Sequence, residues 1–339
     1  MRIAFIADIH GNYPALAAVM ADAAKQGVDR FVFVGDYIFD FPYANEVAGL
    51  LAGLTNAHVV TGNKEVYLRQ LAKEDQSQWT SKQMGGVYQT FRDLTHETLA
   101  YLNGLPEELH IILPTEASRP VSVYAQHISQ VFDANSSKTN CGSASYGKRM
   151  LAEPFSHAQF LAEFNEQVNR EGPVRTAMER INADIIAFGH NHLQCHARMG
   201  DKLILNPGSC GQPLDFRVGA PYTIVEVSRD ANDMISYHLD ERRVPYDIEA
   251  VIAHTKQSAI YKAGMMWAEL THLALREARD YFSAFWEIAR NIAASKGEQT
   301  QHNPGGFFSN DTWDEASRIF TAQQTSCMTE NFCEAREWQ

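Results

Sequence analysis

Residues 2–12 read Arg-Ile-Ala-Phe-Ile-Ala-Asp-Ile-His-Gly-Asn, and two later stretches have the same form. These are Phe31-Val32-Phe33-Val34-Gly35-Asp36 and Ile185-Ile186-Ala187-Phe188-Gly189-His190-Asn191-His192. Each is a short apolar run that stops abruptly at Gly, Asp or His. Short apolar runs bounded by turn residues fit strands buried on both faces. Between the first two, Tyr13 to Gln26 carries Leu16, Val19, Met20 and Ala23 at helical spacing. Pro14 stands near its start and Gly27 where a C-cap falls. Asn45 to Gly53 reads as a second helix and Ala57 to Thr61 as a third strand. Strands that alternate with helices imply parallel pairing and a ligand site beyond the carboxyl ends of the strands.

Further along, residues 80–103 look helical, and Leu109–Leu113 and Val121–Gln126 look like strands. Residues 129–155 are rich in Ser, Asn, Gly and Lys without a clear period, and read as a long loop or insertion. Helical stretches follow at about 156–170 and 174–182. Leu203–Leu205, Tyr222–Val227 and Met234–Leu239 make the second half β-rich and antiparallel in character. Near residue 247 the pattern changes. The chain divides into a unit of residues 1–247 and a helical extension of 248–339, helical throughout from about Ile248 to Ala294. Met266, Leu270, Leu273, Phe282, Phe285 and Ile292 recur at spacings that form one face, which is first a packing face and second a surface for self-association or a substrate cap. Residues 296–310 read as a loop, and a short helix starts at Asn310 or Asp311, either of which can cap it.

Five segments carry chemistry: Asp8-Ile9-His10-Gly11-Asn12, Gly35-Asp36, Gly62-Asn63-Lys64-Glu65, His127, and Gly189-His190-Asn191-His192. Each ends an apolar run or follows one within a few residues, so strand ends on one sheet edge can bring them together. Asp8 and His10 are two apart, and an extended segment points both the same way. Asp, Asn and His form a mixed oxygen and nitrogen donor set, suited to Mn, Fe, Zn, Ni or Mg rather than to a thiolate zinc site. Any one segment is commonplace; their conjunction in this order is what points to a metal centre.

The series resembles that of the calcineurin-like metallophosphoesterases: D-x-H, G-D, G-N-H-[DE], a lone His, then G-H-x-H. The likeness covers roughly residues 1–240. Asn206-Pro207-Gly208-Ser209-Cys210-Gly211-Gln212-Pro213, and Gly35-Asp36-Tyr37 with Asn45-Glu46-Val47 downstream, resemble the small bacterial YfcE-like phosphoesterases in particular. The resemblance implies an α/β four-layer α/β/β/α sandwich of two mixed sheets, here with a C-terminal helical appendage. It implies two divalent metal ions, manganese first among the candidates. Asp8, His10 and His192 would hold one metal, and Asn63, His127 and His190 the other. Asp36 would bridge them, as would a water or hydroxide, and in-line displacement on phosphorus would follow. Asp36, Asn63, Lys64 and His127 are then the expected catalytic residues.

Two departures from the family pattern bear on the substrate. Lys64 stands where the third motif usually has His, the residue thought to protonate the leaving group. A lysine can serve as a point charge on a phosphoryl oxygen, or as an acid if its pKa is depressed. The change favours good leaving groups or diesters over alkyl monoesters. After Pro213, where the subgroup places arginines, the chain reads Leu214-Asp215-Phe216-Arg217-Val218-Gly219, leaving Arg217 as a phosphate clamp or a surface residue. Asn12 is a candidate phosphate contact or the cap of the helix at Tyr13. His196 either lines the site or lies on a strand surface.

The formal net charge of −12 argues against polynucleotide and anionic-membrane partners but not against a small phosphorylated substrate, because bound metals reverse the local field. The five cysteines are odd in number and form no CxxC pair, and the N-terminus lacks a signal-peptide pattern, so a cytoplasmic setting is expected. Besides a hydrolase of small phosphomonoesters or diesters, the sequence leaves open a nucleotide phosphodiesterase or nuclease of the same fold, and a metal-free protein-binding scaffold.

Overall fold

The computed structural model describes residues 1–114, 119–127, 143–152, 156–229, 235–298 and 307–334. The apolar runs form two sheets of five strands each. In the first, β1 (Arg2–Ile6), β2 (Arg30–Val34) and β3 (Ala57–Val60) run parallel, with α1 (Tyr13–Lys25) and α2 (Ala44–Gly53) as crossovers. The order continues on the other side of β1 with two long antiparallel strands, which are β9 (Ala220–Arg229) and β10 (Ile235–Val244). The second sheet contains β4 (Glu108–Leu113), β5 (Val121–Gln126), β6 (Ile185–Ala187), β7 (Gln194–Met199) and β8 (Lys202–Pro207), in the order β4-β5-β6-β8-β7. Here β5, β6 and β8 are parallel, and β4 and β7 pair antiparallel at the edges.

The sheets face each other across Ile3, Phe5, Val32, Val34, Val123, Ile185, Leu203 and Val225, all at most 1% exposed. The opposite face of the first sheet packs on α1, α2, α3 (Asn63–Leu71), α4 (Gly85–Asp93) and α5 (His96–Asn103). That of the second packs on α6 (Ser143–Ala152), α7 (His157–Asn169) and α8 (Pro173–Arg180). A strand covered on both faces has no polar side to show, and this is why β1, β2 and β6 are apolar without alternation. The result is the expected layering of helices, two sheets and helices, with C-terminal helices attached.

Several boundaries differ from the sequence reading. Residues 80–103 form two helices that break at Leu94-Thr95, where the Thr95 hydroxyl accepts from the Thr98 amide and caps α5. The 129–155 stretch is not irregular throughout: residues 143–152 are helical, and Tyr146 is buried against Phe160. The remainder of that stretch lies outside the described residues. Helix α3 and strand β7 were not foreseen. From Ile248 onward the chain is not one run but α9 (Ile248–Gln257), α10 (Ala259–Ala263), α11 (Met265–Glu277) and α12 (Phe282–Ser295), followed by α13 (Asn310–Glu334). The last is long rather than short. Its cap is Ser309, whose hydroxyl accepts from the Thr312 amide, while Asn310 turns instead to the Lys82 amide and the Thr80 carbonyl.

The helical stripe is used internally. Leu270, Phe285 and Ile292 bury against Trp313 and Phe320, with Met266, Leu273 and Phe282 packed at the margin. These helices also rest on the sandwich. Phe41 joins Val251, Ile252 and Leu275 in one cluster, and a Cβ on Gly85 would lie 1.9 Å from the Ala263 carbonyl oxygen, so only glycine permits that approach. Among the described residues, no helix is long and apolar enough to cross a membrane.

Candidate metal centre and the cavity above it

All the expected ligands lie at the carboxyl ends of strands or just beyond them. Asp8 and His10 follow β1, Asp36 follows β2, Asn63 opens α3 after β3, His127 follows β5, and His190 and His192 follow β6. The chain must turn sharply at each of these places. Asp8, His10, Asp36, His190 and His192 all have φ between 52° and 70°, the left-handed region that side chains other than glycine rarely occupy. Such strain persists only where the surroundings enforce it. Gly62 must be glycine, since a Cβ there would fall 2.2 Å from Asp36 Oδ1.

The ligand atoms form two groups. Asp8, His10 and His192 each present an atom within 4.8 Å of the others, and so do Asp36, His127 and His190. Asn63 Oδ1 belongs with the second group, 3.0 Å from His127 Nε2 and 2.9 Å from His190 Nδ1. Asp36 reaches both groups, with Oδ1 3.3 Å from His127 Nε2 and Oδ2 4.0 Å from His10 Nε2.

The hydrogen bonds behind the ligands indicate what the cluster is built to hold. His127 Nδ1 lies 2.6 Å from the Val34 carbonyl, His192 Nδ1 2.7 Å from the Gln212 carbonyl, and His10 Nδ1 2.6 Å from Asp40 Oδ2. Carbonyls and carboxylates only accept, so each Nδ1 carries a proton and each Nε2 faces inward. Two such nitrogens, on His10 and His192, stand 3.1 Å apart, and His127 Nε2 faces the Asn63 oxygen. Groups so opposed need a cation or a proton between them, and the surrounding carboxylates draw one in. Burial alone would depress His127, but Asp36 and Asp8 outweigh it and push it up to about 10. Burial, helped by Asp36 and opposed by His127, pushes Asp8 up to about 7. Burial and then His127 lower His190 to about 4, which leaves it a neutral donor ring. The residues present therefore fit divalent cations.

A further set of residues, not foreseen from the sequence, holds this geometry. Buried Asp40 links His10 to the C-terminal helices, because its Oδ1 accepts from Trp267 Nε1 at 2.6 Å. A carboxylate behind a ligating histidine fixes its tautomer and orientation. Buried Glu65 accepts from the Asp36, Tyr37 and Gly62 amides at 3.1, 2.9 and 2.7 Å, which ties two of the ligand turns together. The segment from Asn206 to Gln212 braces the rest, with Ser209 donating to the Asp8 carbonyl and Asn206 to that of Gly189.

The remaining candidates separate. Lys64 lines the cavity. Burial works against its charge, but Asp40 and Asp36 hold its pKa above the ordinary value, so it is an ammonium and its environment does not depress it toward an acid's range. Asn12 is fully buried and does not line the cavity: its Oδ1 accepts from the Ala15 amide and its Nδ2 donates to Gly211 and Tyr246, which makes it a helix cap. Arg217 pairs with Asp215 at 2.8 Å and also lies outside the cavity lining. His196 bonds to Glu241 at 2.7 Å, away from the cluster.

Above the ligands lies a cavity of about 1060 Å³. Its floor is His10, Asp36, Asn63, His190 and His192, and much of its wall comes from the C-terminal helices, including Trp267, Arg279, Phe282, Trp286 and Arg290.

The sequence profile of the calcineurin-like phosphoesterases matches residues 1–194, more than half the chain. The chain belongs to this family. It is accordingly a metal-dependent hydrolase of phosphoester bonds. Among its relatives, the uncharacterized protein MJ0912 of Methanocaldococcus jannaschii is 24% identical over 271 residues, which is 73% of this chain and 88% of that protein. A metallophosphoesterase from Sphaerobacter thermophilus has a similar structure at 21% identity and TM-score 0.53, covering 82% of this chain and 99% of its own. The hypothetical protein PH1004 from Pyrococcus horikoshii OT3 aligns at 17% identity and TM-score 0.54, over 80% and 97%. These two likenesses show the fold.

Proposed function

We propose that the chain hydrolyses phosphodiesters and activated phosphomonoesters at a dinuclear centre. Asp8, His10 and His192 hold one ion, Asn63, His127 and His190 the other, and Asp36 lies between them. The observation that supports this reading best is the convergence of two donor groups, Asp8 with His10 and His192, and Asp36 with His127 and His190, each with its donor atoms within 4.8 Å of one another. Two divalent cations held there supply Lewis acidity toward phosphoryl oxygens and lower the pKa of a shared water. Manganese suits the mixed oxygen and nitrogen set, which has no thiolate.

The protein's own groups divide the remaining work. Asp40, Val34 and Gln212 keep the Nδ1 protons of His10, His127 and His192 in place, so that Nε2 stays available. Lys64, held as an ammonium, places a fixed positive charge on the cavity wall, where it stabilises charge on a phosphoryl or leaving-group oxygen. Because a raised pKa makes it a weak acid, the reading favours leaving groups that need little protonation.

The test is elemental analysis of the purified protein together with turnover of bis(p-nitrophenyl) phosphate and a panel of natural mono- and diesters in added Mn²⁺. Two ions per chain and activity abolished by chelation are expected. A folded protein that binds no metal and turns over no ester would sink the proposal.

A further inference from the structure

A second, smaller cavity of about 220 Å³ adjoins the first, and its lining is mostly apolar. The two share Asp40, Lys64, Trp267, Trp286 and Phe307, so the recess opens beside the lysine on the wall of the metal site. Its volume is below the ~300–1,000 Å³ of pockets for drug-sized ligands, which leaves room for one ring system rather than a whole substrate. Aromatic rings shape it. Trp286 meets Phe307 edge-on at 4.7 Å between ring centroids, and the Phe307 amide donates to Gln83 Oε1 at 2.8 Å, which fixes that ring from the sandwich side. Trp267 is held by Asp40. Rigid aromatic faces so arranged suit the insertion or stacking of a planar ring.

Across the larger cavity stand Arg279, which lies over the Tyr281 ring at 4.9 Å, and Arg290; Asp280 and Glu287 line the same cavity, and among the described residues neither arginine is within ion-pair distance of a carboxylate. Arg290 extends over the Trp286 ring at 5.8 Å, close to the mouth of the recess. Arginine is well shaped to bind phosphate oxygens in pairs. A substrate with one phosphoryl group and no ring would leave both the arginines and the aromatic recess unused.

We propose that the natural substrate is a nucleotide with more than one phosphoryl group. Its base seats among Trp267, Trp286 and Phe307 beside Lys64, and a phosphoryl group other than the one attacked is held by Arg279 and Arg290. The proposal rests on the phosphoesterase reading above and adds the substrate class. In the reaction the oxygen of water bonds to phosphorus while the bond from phosphorus to the leaving oxygen breaks. A proton from the water ends on the leaving group or in solvent, and nothing is oxidised or reduced.

Two measurements test it. The first is binding of nucleoside mono-, di- and triphosphates to the metal-free protein, followed by tryptophan fluorescence, with inorganic pyrophosphate as the ring-free control. The nucleotides should quench the signal and pyrophosphate should not, Trp286→Ala should weaken nucleotide binding about 10-fold or more, and Arg290→Ala should remove the advantage of the second phosphoryl group. The second compares kcat/KM for thymidine 5′-(p-nitrophenyl phosphate) with that for methyl p-nitrophenyl phosphate in Mn²⁺. Wild type should prefer the nucleoside ester at least about 10-fold, and Trp286→Ala should bring the two together. Equal turnover of both esters by wild type, or pyrophosphate and nucleotides binding alike, overturns the substrate class while leaving the hydrolase intact. Loss of all turnover with nucleotide binding retained overturns the hydrolase reading and keeps the recess.

Discussion

The floor and the wall of the cavity are made differently. The floor comes from strand ends of the sandwich, and its residues are polar, strained and braced by backbone amides and carbonyls. The wall comes largely from α12 with Trp267 of α11, and it mixes aromatic rings with charged side chains of both signs on relaxed helical backbone, Arg279 and Asp280 lying in the turn between the helices. Metal binding needs donor atoms fixed to within a fraction of an ångström, and turns locked by a sheet supply that. Recognition of a leaving group needs area and shape, which a helix face supplies and can change without disturbing the floor. The two are joined by a chain of contacts from His10 through Asp40 to Trp267.

If the division is real, damage should grade from floor to wall. Asp36→Asn should have the largest effect. It removes a charge shared by both ligand groups, and kcat/KM on bis(p-nitrophenyl) phosphate should fall beyond the ~10–100-fold typical of losing a partner behind a ligand. Metal content by elemental analysis should fall with it, and retained metal with full activity would break the comparison at its base. Asp40→Asn should weaken Mn²⁺ affinity by about 10–100-fold, because the amide no longer fixes the His10 tautomer. Trp267→Phe, which keeps an aromatic ring but deletes the donor to Asp40, should move the same titration in the same direction by less. A Trp267→Phe protein with unchanged Mn²⁺ affinity would show that the wall does not act on the floor.

Lys64→Ala should cost more for esters with poor leaving groups than for p-nitrophenyl esters, a difference read from the slope of log kcat against leaving-group pKa. An equal loss across the series places the Lys64 charge on a phosphoryl oxygen rather than on the leaving group. Arg217→Ala should have the smallest effect, within about twofold in KM, since Asp215 keeps Arg243 as a partner at 2.6 Å and the position lies outside the cavity. A large rise in KM would return Arg217 to the substrate site.

How much of this was legible can be judged residue by residue. Asp8, His10, Asp36, Asn63, His127, His190 and His192 stand in segments that end an apolar run or follow one within a few residues, and the family resemblance picks them out of those segments as ligands. Helix α3 was missed because Asn63, Lys64 and Glu65 read as a motif rather than as a first turn, yet Glu65 is the residue that clamps the Asp36 turn. Strand β7 was missed because Gln194, His196 and Arg198 interrupt its apolar pattern. Asn12 was read with two roles, and the hydrogen bonds to Ala15 and Gly211 choose the cap.

The sequence alone determined the buried strands and the polar residues at their ends, which depend on local rules of burial and turning, and its resemblance to a family supplied the layering and the candidate ligand set. Only the tertiary structure decided that the C-terminal helices close over that floor. Asp40 and Trp267 are 227 positions apart, and neither carries a pattern that announces the other. Their contact follows from how the apolar face around Val251, Ile252 and Leu275 packs on Phe41, just beyond Asp40 in the chain. Such docking is set by the complementary shape of two folded surfaces, which no short-range pattern encodes.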